Sequence, residues 1–167
     1  MRRHEPPRRT VLAGAGAALA TLSGCLTAAS REEVTETETR RFDVSTETTL
    51  AVDNVTGPVT VEATDGGQVT VDIERTGTER ALDDVTVSTT RASGRLEVET
   101  EADGSGLEAA DAATVALRVA CPGDVAVDHV ATTNGDVTTR DVAGMVSLRT
   151  TNGAIDASGH ETVGDVT

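Results

Sequence analysis

Aromatic side chains are almost absent: Phe42 stands alone, with no tryptophan or tyrosine in 167 residues. A conventional sandwich or barrel core uses several large rings. Here Val, Ile, Leu and Ala must fill the interior. Lysine is missing, so all 14 basic residues are arginine, set against 28 acidic residues for a net charge of −14. That balance excludes nucleic acid, which requires a basic surface. Cysteine occurs only as Cys25 and Cys121, too few for a disulfide framework. No His/Cys cluster has zinc spacing. As a nucleophile Cys121 would need a base, and His129 is its neighbour in sequence only. His129 and His160 read as exposed rung residues, and Cys121 as a small buried hydrophobe.

Paired carboxylates at a groove, as in polysaccharide-cleaving β-helices, are also missing. Asp136, Asp141 and Asp156 sit in an acid-rich background from which no pair stands out. Asp65-Gly66-Gly67 and Asp83-Asp84 do not match the nonapeptide calcium repeat. No catalytic residue, metal or cofactor is therefore expected. The uncharged run Val11–Gly24 is too short and too rich in Gly and Ala for a membrane span. No long 3.6-residue apolar period follows it.

A repeat is present. Thr132-Thr133-Asn134-Gly135 recurs as Thr150-Thr151-Asn152-Gly153, 18 residues later. At the same offset Val130 falls on Leu148 and Val137 on Ile155. A turn signal and its flanking apolar positions repeat together, the signature of stacked rungs. Asn134, Gly135, Asn152 and Gly153 are the turn residues, since Asn and Gly tolerate positive φ. A weaker echo, Val-x-Gly-x-Val, joins Val142–Ser147 to Val163–Thr167 with about two extra residues at 158–162, and has the same form at Val55–Val61. Either a hairpin meander or a β-solenoid could produce the repeat. The fixed period and the thin aliphatic core favour the solenoid, in which Asn134 lies over Asn152 at about 4.8 Å.

Short alternating runs precede the repeat: Phe42–Val44, Leu50–Val52, Val59–Val61, Val69–Ile73, Val85–Ser88, Leu96–Glu99, Val115–Val119 and Val125–Val127. Thr76–Asp84 and Ala102–Ala113 read as loops. The chain stops inside a rung, Val163–Thr167, so a polar cap is expected beyond it.

At the other end Arg8-Arg9 precedes the uncharged run, which closes on Leu22-Ser23-Gly24-Cys25. The pair resembles a twin-arginine export signal, and the tetrapeptide a lipoprotein lipobox. The resemblance implies cleavage before Cys25 and lipid on its sulfur. The predicted organisation is a signal peptide over 1–24, a lipid-anchored acidic tether over 25–39 without fixed structure, and one domain over 40–167. Without residues 1–24, which hold four arginines and one acid, 10 basic residues face 27 acidic ones, a net −17. An acidic, lysine-free chain with small aliphatic residues resembles proteins of extreme halophiles. Its self-repulsion needs salt, with a Debye length of about 3 Å at 1 M against about 10 Å at 0.1 M.

From about Thr39 onward the features resemble the putative-adhesin family of domains of unknown function. They are Leu50-Ala51-Val52, Val55–Val61, Val115–Pro122 and the Thr-Thr-Asn-Gly rungs. The resemblance implies a β-solenoid-like domain at the cell surface and offers no catalytic residues. The expectation is an all-β, single-domain β-solenoid, lipid-anchored to the cell membrane outside the cytoplasm. It would serve as a structural or adhesion module contacting an envelope protein or glycan. The alternatives are an envelope ligand- or metal-binding domain and, further off, a carbohydrate-active enzyme.

Overall fold

The computed structural model describes residues 32–102, 113–144, 146–160 and 163–167. Period-two alternation in the sequence becomes strands with one dry and one wet face. Val69, Val71 and Ile73 of β4 (Gln68–Gly77) are buried, as are Val115, Leu117, Val119 and Cys121 of β7 (Thr114–Pro122). Leu50 and Val52 of β2 (Thr49–Thr56) and Leu96 and Val98 of β6 (Arg95–Ala102) do the same in a second sheet. One core of Val, Leu, Ile, Ala and a cysteine fills the space between.

The first sheet runs β1 (Val34–Asp43), β4, β7, β3 (Val59–Thr64), β9 (Val137–Arg140), β11 (Ile155–Ser158). The second runs β12 (Val163–Val166), β10 (Val146–Asn152), β8 (Ala126–Asn134), β2, β6, β5 (Val85–Ala92). Three times the chain leaves a strand of the second sheet, turns at a glycine, and enters the first: β2 to β3, β8 to β9, β10 to β11. These units stack in parallel. Asn152 pairs with Asn134, Leu148 with Val130, and Ile155 with Val137, all at an offset of 18.

The expectation of a solenoid is corrected beyond those units: the molecule is two mixed sheets, not a closed solenoid. β4 runs antiparallel to both β1 and β7, and β5 antiparallel to β6. The reversal at β5–β6 is a two-residue turn, Ser93-Gly94, with φ of 52° and 78°. Two positive φ values suit the twist of a hairpin. A helical coil of uniform hand cannot accommodate such a reversal, so the rungs end there.

Three smaller corrections follow. β1 begins at Val34, inside the stretch read as tether, and pairs with β4 from Val34↔Gly77 to Asp43↔Gln68. Its Thr-Glu alternation has no apolar period because the strand is an exposed edge, held by the ladder and by cross-strand bonds such as Thr39 Oγ1 to Asp72 Oδ1, 2.6 Å. Within the supposed loop 76–84 lies a one-turn helix, α1 (Glu79–Asp83), which buries Ala81 and Leu82 under an N-cap from Thr78. The final Val-x-Gly-x-Val echo, which sets Val146 on Val166, lies two residues out of the observed register. Leu148 pairs with Val166, so the 18-residue period reaches β12, with an irregularity between Val146 and Leu148.

Candidate functional site

The repeat asparagines and glycines are brought together on one corner of the stack. Asn152 Nδ2 donates to Asn134 Oδ1 at 2.8 Å. Gly135 N–H donates to the carbonyl of Asn152 at 2.9 Å, and Gly57 N–H to that of Asn134 at 2.7 Å. A Cβ built on Gly153 would overlap the carbonyl of Gly135, one on Gly135 that of Gly57, and one on Gly57 that of Val115. Close approach, more than turn conformation, therefore demands glycine here. Above two of these glycine carbonyls sits a side-chain donor from the next rung: Thr132 Oγ1 to Gly57 at 3.0 Å and Thr150 Oγ1 to Gly135 at 2.8 Å.

Sequence reading missed the third member, Asn54 with Gly57. Its Nδ2 donates to the carbonyls of Gly57 (3.0 Å) and Val115 (2.8 Å). Asn54, Thr132 and Thr150 each lie three residues before their glycine. Alignment on glycine would have found it; alignment on the Asn-Gly pair could not, because Thr56 replaces the asparagine. Among the described residues Asn54 Oδ1 and the buried Thr100 Oγ1 have no hydrogen-bond partner.

On the outer face of the second sheet a bulge in β8 carries a charged cluster. Leu50 pairs with Val127 but Ala51 with His129, which leaves Asp128 as the extra residue. Asp128 Oδ2 accepts from Arg95 Nη1 at 2.8 Å, and His129 Nε2 lies 3.0 Å from Asp53 Oδ1. His160 Nδ1 faces the carbonyl of Val142 at 3.3 Å, so its Nε2 accepts from the Thr139 hydroxyl at 2.9 Å. Both histidines, expected to be exposed, are part-buried and bonded within the fold.

Chemistry is otherwise sparse. Cys121 is fully buried and free; burial pushes its thiol up to about 11, away from nucleophilic use. Asp136 caps the Ala154 amide at 2.8 Å, Asp141 turns the far corner at φ 54°, and Asp156 stands opposite Thr138. The three are spread over the rungs. Among the described residues no group of three His, Cys, Asp or Glu is placed to hold a metal. An open cavity of about 480 Å³ lies between loops, lined by Ser45, Thr64, Asp65, Gly66, Pro122 and Asp124 among others. It includes the Asp65-Gly66-Gly67 turn but not Asp83-Asp84. Arg8, Arg9, Leu22, Ser23, Gly24, Cys25 and the loop 103–112 lie outside the described residues. No helix among those described is long and apolar enough to cross a membrane.

No family model matches the chain, and no curated protein does. Solved structures do. A putative cell adhesion protein from Clostridium sporogenes aligns with 76% of this chain and 59% of its own at 10% identity, TM-score 0.48. A putative adhesin from Bacteroides fragilis aligns with 77% and 56% at 13% identity, TM-score 0.43. A putative lipid binding protein from Parabacteroides distasonis aligns with 76% and 58% at 13% identity, TM-score 0.29. The chain thus spans less than three-fifths of the length of each. At these identities and scores the likeness assigns neither family nor function.

Proposed function

We propose that this chain is a non-catalytic structural or adhesion module, exported through the twin-arginine route and held at the outer surface of the cell membrane by lipid on Cys25. The observation that carries the reading is the order of Arg8-Arg9, an uncharged run, and Leu22-Ser23-Gly24-Cys25. Each lipid methylene buried contributes about 0.8 kcal/mol. Because β1 starts at Val34, nine residues beyond Cys25, a fully extended link reaches at most about 30 Å. The folded body is then held close to the headgroups. Its acidic surface suits a high-salt exterior.

The test is expression in a host with a twin-arginine pathway. Wild-type chain is expected in the membrane fraction with a lipid mass on the mature N-terminus. Cys25→Ala should move it to the soluble fraction, and Arg8→Lys with Arg9→Lys should leave unprocessed precursor inside. A wild-type chain recovered unmodified refutes the anchor.

The second reading, an envelope ligand-binding domain, is favoured by one observation: the open 480 Å³ cavity rimmed by hydroxyls and the carboxylates of Asp65 and Asp124. It requires a saturable ligand lost on Thr64→Arg. The carbohydrate-active alternative is not proposed: Asp136 is bonded to the Ala154 amide and Asp141 holds the far turn.

A further inference from the structure

The chain holds three asparagines. Asn134 and Asn152 are exposed at the corner, but Gly-Asp and Gly-Ala follow them. Asn54 is followed by Val55-Thr56. Asn-x-Ser/Thr, with x other than proline, is the acceptor pattern for N-linked glycan in chains that reach the cell exterior. The asparagine that carries the pattern is the buried one, at 6% exposure.

The fold closes this site from several sides. β2 is an inner strand, with β8 on one side and β6 on the other. The ladder to β8 spans the acceptor residues themselves, Asn54↔Thr132 and Thr56↔Asn134. The nitrogen that would take the sugar is Asn54 Nδ2. It donates to the carbonyls of Gly57 (3.0 Å) and Val115 (2.8 Å), which occupies both of its hydrogens. The Val115 carbonyl lies so near Gly57 that an added Cβ there would overlap it. A sugar is far larger than a methyl group, and the packed corner has no room for one.

We infer that Asn54 is an N-glycosylation acceptor in the unfolded chain alone, and that the folded corner withholds it. In the transfer, Asn54 Nδ2 bonds to C1 of the sugar as the bond from C1 to the phosphate oxygen of a lipid-linked oligosaccharide breaks. The lipid phosphate leaves with the electron pair, and one amide proton passes to a base of the transferase. The product keeps a single hydrogen on Nδ2. Either the Gly57 or the Val115 carbonyl then loses its donor, and a buried acceptor without a partner is costly. Glycosylation and the corner are therefore alternatives, and a chain bound for the exterior must close the corner before it meets the transferase. The inference rests on the proposed function for that destination only, and stands whether or not Cys25 carries lipid.

The test incubates the purified full chain with a lipid-linked oligosaccharide and an oligosaccharyltransferase that accepts Asn-x-Ser/Thr, in molar salt, and reads glycan mass by mass spectrometry. A peptide copying residues 49–60 gives the rate of an open acceptor. Leu117→Asp with Leu148→Asp places carboxylates at positions 1% and 0% exposed and gives a full chain that does not fold, checked by circular dichroism. The peptide and this variant should each gain one glycan, on Asn54. Adding Thr56→Ala to the variant should abolish it. The wild-type chain should be modified at least about a thousandfold more slowly than the peptide, following the small fraction of a stable domain that is unfolded at any moment. The peptide carries the comparison if the double variant keeps its fold. Wild-type modification within tenfold of the peptide overturns the inference. So does an unmodified peptide or unfolded variant in a reaction that glycosylates an unrelated Asn-x-Thr peptide. No arm reads export or lipid, so failure here leaves the membrane anchor standing, and loss of the anchor leaves this result standing.

Discussion

Replacing Gly135 with alanine should unfasten the corner on both sides. The new Cβ would overlap the Gly57 carbonyl, which is backbone and cannot rotate away. To relieve it the rungs must part. Four bonds are at risk: Gly57 N–H to Asn134 (2.7 Å), Gly135 N–H to Asn152 (2.9 Å), Thr132 to Gly57 (3.0 Å) and Thr150 to Gly135 (2.8 Å). At about 1 kcal/mol net for each, losing three or four costs about 3–4 kcal/mol. That is a large part of the roughly 5–15 kcal/mol that holds a domain together. Gly153→Ala meets the Gly135 carbonyl in the same way but puts two bonds at risk, Gly135 N–H to Asn152 and Thr150 to Gly135, so about 2 kcal/mol is expected. Gly67 and Gly123 have nothing within 4 Å of an added Cβ, and alanine there should stay within about 0.5 kcal/mol. With no tryptophan to report by fluorescence, urea unfolding in molar salt is followed by far-UV circular dichroism. At an m-value of roughly 2 kcal/mol/M, Gly135→Ala should lower the midpoint by about 2 M. A Gly135→Ala midpoint within error of Gly67→Ala would refute the ladder as the fastening.

Asn54→Thr should keep the donor to Val115, as Thr132 donates to Gly57, and lose the one to Gly57, costing about 1 kcal/mol; Asn54→Ala loses both and should cost about 2–3 kcal/mol, read in the same urea assay. Because burial raises the Cys121 thiol from 9.0 to about 11, the unfolded chain loses its proton first as pH rises. The stabilising contribution is therefore complete below pH 9 and disappears between pH 9 and 11. Cys121→Val should flatten that part of the stability–pH curve. Arg40→Ala with Arg75→Ala should free the carbonyls of Val85 and Val87 and produce concentration-dependent association in sedimentation velocity. Dialysis from molar to millimolar salt should reduce ellipticity as self-repulsion loses its screening; an unchanged spectrum would remove the reading of a salt-requiring fold.

Sequence alone determined the local chemistry of the stack. The offset of 18 placed Asn134 under Asn152 and Val130 beside Leu148 because identical turns in parallel register repeat all their neighbours. The poverty of aromatic residues correctly required an aliphatic core. Tertiary structure decided the rest, for physical reasons visible at particular residues. Val34–Asp43 carries no apolar period, since an edge strand is held by ladder bonds, and these leave little trace in residue type. Gly57 joins the corner across 78 residues, with Thr56 where the repeat has asparagine, so no local period marks it. The antiparallel strands β1, β4 and β5 and the arginine bonds to the β5 carbonyls depend on which strand lies beside which. Alternation specifies that a strand has a dry face; it does not name its neighbour or its direction, and that pairing turned a run of rungs into two mixed sheets.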